Sequence, residues 1–130
     1  MADRLLRIKI EGCGPGLPHE LSPRIIDLIE ASYGKYICKY TKRDESNNKV
    51  TVKKKMATSD VDGIMKELST INIQAFPDHI MGYDGGFTEL EVGGYSGKSH
   101  FRWWSAAPDG WEVLDNIVER VIECSGIEDA

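Results

Sequence analysis

The sequence predicts an α+β fold, with a largely antiparallel sheet of about five strands and amphipathic helices mainly on one face. Three observations point there. Several segments alternate apolar and polar residues at period two, as half-buried strands do. Other segments repeat their apolar residues at helical spacing. Short polar or glycine-rich links join neighbouring strands, as antiparallel hairpins require. The predicted order is β-α-β-β-α-β-β-α.

The first strand is Leu5 to Ile10, with Leu6, Ile8 and Ile10 on one side and Arg7 and Lys9 on the other. Gly12 to Pro18 breaks it with three glycines and two prolines. The sequence then predicts a helix from an Ser22 N-cap and Pro23 at its first position, with Leu21 and Ile26 as a staple. Ile25, Ile26, Ile29 and Tyr33 would form its apolar stripe and Gly34 its end. Tyr36, Cys38 and Tyr40 alternate with Ile37, Lys39 and Thr41, and Val50 and Val52 with Thr51 and Lys53. The polar run Asp44 to Asn48 makes these two strands a hairpin.

The next helix is predicted from a Ser59 cap, with Asp60 and Asp62 in its first turn and Val61, Ile64, Met65 and Leu68 facing the core. Ile71 to Gly86 reads as a loop. Phe87 to Val92 and Ser99 to Trp104 read as strands joined by Gly93 to Lys98. The last helix is predicted to start near Asp109 with Glu112 completing a capping box, to bury Trp111, Leu114, Val118, Val121 and Ile122, and to stop at Ser125-Gly126.

A chain of 130 residues, 41% hydrophobic and 28% charged, has the make-up of one globular domain. Residues 1–130 are therefore read as a single domain, with 126–130 a frayed tail. No apolar run approaches the roughly 20 residues that span a bilayer. Met1 to Ile10 lacks the apolar core of a signal peptide. The expectation is a cytoplasmic protein with no membrane partner. Cys13, Cys38 and Cys124 are odd in number and widely spaced, which argues against a disulfide framework or a thiolate zinc site.

Charge is unevenly spread. Between Lys35 and Lys55 lie eight basic residues against two acidic ones, while the chain as a whole carries −5. Lys39, Lys53, Lys54 and Lys55, with Tyr36 and Tyr40 nearby, make a basic patch of the kind that contacts single-stranded nucleic acid. The same lysines also serve to blunt a sheet edge.

Catalytic patterns are weak. Gly12-Cys13-Gly14-Pro15-Gly16 lacks both the helix-initiating glycine of a dinucleotide turn and the Gly-Lys-Ser/Thr of a phosphate loop. Gly94-Tyr95-Ser96-Gly97 has the wrong spacing for a nucleophile elbow. Cys13 would be reactive only beside a cation or a helix N-terminus. His19, His79 and His100 are scattered, and Asp78, His79, Asp84 and His100 form the one grouping that could serve a metal-dependent or hydrolytic enzyme. No cofactor, no metal and no catalytic residue is assigned.

The Phe101-Arg102-Trp103-Trp104 segment is the most unusual feature. Adjacent strand residues point to opposite faces, so Trp103 joins Phe101 in the core and Trp104 faces the other way, near Tyr95, Tyr83 or His100. Trp104 is then either an interface anchor or a ring covered by a loop or the last helix.

Asp84-Gly85, Phe87, Leu90, Val92, Phe101, Trp103-Trp104, Pro108 and Trp111 to Leu114 together resemble a stretch of many small, mostly uncharacterised bacterial proteins. Some of those resemble toxin immunity proteins or protease inhibitors. The resemblance spans roughly residues 82–124 and implies a hairpin followed by a helix, without a catalytic residue. The functional expectation is a small non-enzymatic protein-binding module of immunity or inhibitor type, with Trp104, Tyr95, Tyr83 and His100 as partner-binding residues. The alternatives are nucleic-acid binding through the hairpin 35–55, a small hydrolase or metal-dependent enzyme, and self-association.

Overall fold

In the computed structural model, residues 3–12, 24–43, 46, 48–73, 86–94, 97–104 and 107–127 are described. Six strands and two helices follow in the order β1 (Asp3–Gly12), β2 (Arg24–Ser32), β3 (Lys35–Arg43), β4 (Lys49–Met56), α1 (Thr58–Ser69), β5 (Gly86–Gly94), β6 (Gly97–Trp104) and α2 (Glu112–Ser125). The strands form one sheet in the order β4-β3-β2-β1-β5-β6, and every neighbouring pair is antiparallel. The α+β class and the antiparallel sheet agree with the sequence.

The main correction concerns 24–32, expected to be helical and found as the strand β2. Its apolar residues satisfy both periods. Ile26 and Leu28 are buried on one face, while Ile25 and Ile29 are half-buried on the other. Strand β2 carries apolar residues toward both faces and so loses clean alternation, and β-branched isoleucine fits the pleated surface. Tyr33, expected in the helix stripe, is fully exposed (100%) in the turn to β3, where Gly34 takes a positive φ of 73°. The observed order is therefore β-β-β-β-α-β-β-α, with six strands instead of five.

The helix starts also differ. Ala57 precedes α1 without a side-chain cap, and Thr58 Oγ1 instead donates to the Gly34 carbonyl at 3.0 Å, tying the helix start to the β2–β3 turn. Trp111 precedes α2, and the Glu112 carboxylate accepts from the Gly110 N–H at 2.9 Å. The buried Trp111 ring sets this entry, in place of Asp109. Gly126 and Ile127, expected in a frayed tail, are ordered: Gly126 adopts φ 66° and Ile127 is buried. Cys13, His19, Ser22, Asp78, His79, Tyr83, Asp84, Tyr95 and 128–130, for which the sequence raises expectations, lie outside the described residues.

One face of the sheet carries the core. Leu6, Ile8, Ile26, Leu28, Cys38, Tyr40, Leu90 and Trp103 meet Val61 and Ile64 of α1 and Leu114, Ile117, Val118 and Val121 of α2. Helix α2 begins near β6, where Asp115 accepts from Trp103 Nε1 at 3.1 Å, and ends near β4, where Lys54 Nζ donates to the Gly126 carbonyl at 3.2 Å. Arg120 of α2 pairs with Glu67 of α1 at 2.8 Å. Its guanidinium lies over Gly63, so close that a Cβ there would sit 2.5 Å from Nη2. Both helices thus occupy the same side, and among the described residues no helix covers the other.

Candidate interaction surface

Strand alternation decides what that other face displays. One cross-strand row reads His100, Glu91, Arg7, Asp27, Lys39, Lys53 from β6 to β4. The next reads Arg102, Glu89, Lys9, Ile25, Thr41, Thr51. On the other side of the first row, Ile29, Ile37 and Lys55 stand directly opposite one another.

The β1, β5 and β6 half is internally paired. Glu91 accepts Lys98 at 3.0 Å and Arg4 at 3.1 Å. These cations, the Lys98 hydrogen bond first, hold the Glu91 carboxyl below its usual range. Glu89 is approached by His100 at 3.3 Å, Arg102 at 3.7 Å and Lys9 at 3.9 Å. Arg7 donates to both oxygens of Asp27, at 2.7 and 3.1 Å, and this bidentate bond raises the guanidinium pKa further. Bidentate geometry makes it the strongest pair on the face.

The β2–β4 half differs. Asp27 is the carboxylate opposite Lys39, but both its oxygens are taken by Arg7. Lys39, Lys53 and Lys55 make no ion pair with any described residue. Lys53 and Lys55 are exposed, and Ile25, Ile29 and Ile37 are half-buried beside them. The result is an adjacent apolar pair, Ile29 and Ile37, flanked by the unneutralised Lys39 and Lys55, with Ile25 across the charged Asp27, Lys39 and Lys53 row.

This asymmetry extends through the molecule. By register, the open face carries Arg4, Arg7, Lys9, Lys39, Arg43, Lys49, Lys53, Lys55, Lys98 and Arg102 against Glu11, Asp27, Glu89 and Glu91. The two helices carry Asp60, Asp62, Glu67, Glu112, Asp115, Glu119 and Glu123 against Lys66 and Arg120. A chain of net charge −5 therefore has a basic sheet face and an acidic helical face. Opposed fields of this kind steer charged partners to one side.

Lys39, Lys53 and Lys55 do share one face. Lys54 lies on the opposite pleat and reaches the end of α2. Tyr36 and Tyr40 also lie on the helix side, with Tyr40 only 1% exposed, so they do not interleave with the lysines. Trp104 is on the open face yet only 9% exposed. It packs edge-on against Phe87 at 4.8 Å between ring centres, with its Nε1 buried and without a hydrogen-bond partner among the described residues. The Arg102 guanidinium sits 3.6 Å from the Phe87 ring centre. A buried ring is not an exposed anchor, which corrects that reading of Trp104. His100 is open to solvent and held beside Glu89.

The pairing of Ile29 with Ile37 was hidden in the sequence by the helical reading of 24–32. The alternation of Arg7 and Lys9, and of His100 and Arg102, does signal a charged face. Among the described residues no group of three or more His, Cys, Asp or Glu side chains is placed to hold a metal ion. None of the described helices is long and apolar enough to cross a membrane. No protein-family model matches this chain, and no curated protein matches it either.

Proposed function

We propose that this chain is a small protein-binding module that presents the open face of β2–β4 to an acidic partner surface. The observation supporting this is the apolar pair Ile29 and Ile37 set among Lys39, Lys53 and Lys55, whose charges no described carboxylate neutralises. An apolar centre with a polar rim is the anatomy of a protein interface, and unpaired rim charges set the partner's sign and the speed of encounter. Strand β4 is a sheet edge, but its lysines disfavour addition of another strand, which leaves the face as the contact.

Such a role requires no cofactor and no catalytic residue. It agrees with the resemblance of 82–124 to small, mostly uncharacterised bacterial proteins, some of which are similar to immunity proteins or inhibitors. A cytoplasmic site of action suits the free thiols Cys38 and Cys124. Nucleic-acid binding through the same lysines is the competing reading. Among the described residues, the face around these lysines lacks the exposed aromatic platform that single strands stack upon, because both tyrosines of β3 lie on the helix side.

The test uses the full chain and its Lys39→Glu/Lys53→Glu/Lys55→Glu variant, both verified as folded by circular dichroism. Each is immobilised and exposed to nuclease-treated lysate of the source organism. The expected result is one protein partner held by the wild type and bound at least about tenfold more weakly by the variant, with faster loss at high salt. Capture of nucleic acid from untreated lysate, with no protein held after nuclease, would replace this reading by the competing one. Equal capture by both chains would refute the face as the contact.

A further inference from the structure

Behind β5 and β6, on the helix side, lies a pocket of about 580 Å³. Its walls are Leu68 at the end of α1, Ile71 and Ile73 just beyond it, Val92 and Phe101 of the sheet, and Trp111 before α2. A cleft of this volume falls within the roughly 300–1,000 Å³ range of small-molecule sites. The aromatic wall is rigid: Phe101 and Trp111 meet edge-on at 5.5 Å, and Trp111 meets Trp103 edge-on at 6.3 Å.

Among the described residues, the polar groups of the lining are few. Asn72 and Ser99 contribute neutral side chains, and both are exposed at the pocket. His100 also borders it, but its imidazole Nε2 is directed to Glu89, whose register places it on the open face. Among the described residues, no Lys, Arg, Asp or Glu lines the pocket. This contrasts with the sheet's other face, where charges stand on every strand. An ion entering here would shed water without gaining a counter-charge, which is costly. An apolar group carrying one neutral hydrogen-bonding end would shed little and bury much.

We infer that this pocket is a binding site for a small uncharged amphiphile, an aliphatic chain or an aromatic ring ending in a hydroxyl or carbonyl group. The apolar part lies between Leu68, Ile73, Val92 and the Trp111 ring. The polar end is held by Ser99 or Asn72. The site is separate from the face proposed to bind protein, so either can fail without the other.

The test is a two-dimensional NMR titration of the full chain with 1-octanol and, separately, with octanoate. These probes share a chain and differ in head-group charge. The expected result is saturable shifts of the Leu68, Ile71, Ile73 and Val92 methyls with 1-octanol, and binding at least about tenfold weaker for octanoate. Val92→Phe fills the pocket and should weaken 1-octanol about tenfold or more; Asn72→Trp, at an exposed position outside regular structure, serves if the strand variant does not fold. Absence of saturable shifts at these methyls would overturn the site. Equal 1-octanol binding in the filled variant would do the same, and tighter octanoate binding would overturn the assignment of an uncharged ligand.

Discussion

Asp115 joins the last strand to the last helix through single atoms. Its carboxylate accepts the indole N–H of the buried Trp103 at 3.1 Å and the backbone N–H of Ala107. Asp115→Ala leaves both donors half-buried and unpaired, and should cost about 2–3 kcal/mol in urea unfolding. Cys38 shows the opposite use of burial. Its thiol pKa is pushed up to about 11, chiefly by desolvation, so it stays a neutral thiol at physiological pH. In a chain with Cys13 and Cys124 replaced by serine, Cys38 should resist a thiol reagent until the protein unfolds. The sign of its pH effect follows from the raised value. Its contribution to stability is intact below about pH 8.5, where the unfolded thiol titrates, and is lost as pH rises toward 11. Stability curves measured over that window should flatten in Cys38→Ala. On the open face, Glu91 is depressed, mainly by the Lys98 hydrogen bond. A depressed carboxylate stabilises above the ordinary carboxylate range and loses that contribution as pH falls through its folded value. Lys98→Ala should therefore move the Glu91 titration upward, as read by carbon-detected NMR.

Elements were legible where one face is wet. Strand β1 alternates Leu6, Ile8 and Ile10 with Arg7 and Lys9, and β5 places Thr88, Leu90 and Val92 together, as the pattern required. Strand β2 was not legible, because Ile25-Ile26-Asp27-Leu28-Ile29 lies inside the sheet and has apolar residues toward both faces. Short apolar runs of this kind fit a helix stripe and a buried strand equally well. The helix starts differ from the sequence expectation because tertiary contacts outweigh local caps. Thr58 bonds the β2–β3 turn, and Trp111 is drawn into the core. The turn at Gly34 isolates a backbone effect. Its φ is 73° and nothing lies within 4 Å of a built Cβ, so Gly34→Ala should cost about 1 kcal/mol from conformation alone. An unchanged denaturant m-value would accompany it. A much larger loss would mean that a side chain at this turn meets a neighbour.

At the scale of the molecule, the sequence disclosed a basic hairpin but not its consequence. Seeing that both helices lie on one side turns a linear charge cluster into a two-faced particle. The acidic residues of α1 and α2 lie away from Lys39, Lys53 and Lys55, and Arg7 removes the one carboxylate opposite Lys39. The candidate site was hidden for the same reason as β2, since Ile29 and Ile37 become neighbours only once both segments are strands. The resulting claim is that this sheet face, and no other, takes the partner. Lysine acetylation of the free chain and of its complex with the captured protein tests it most directly. The account predicts that Lys39, Lys53 and Lys55 become protected in the complex while Lys66 on α1 stays reactive. Protection of Lys66 with Lys53 and Lys55 still reactive would contradict it.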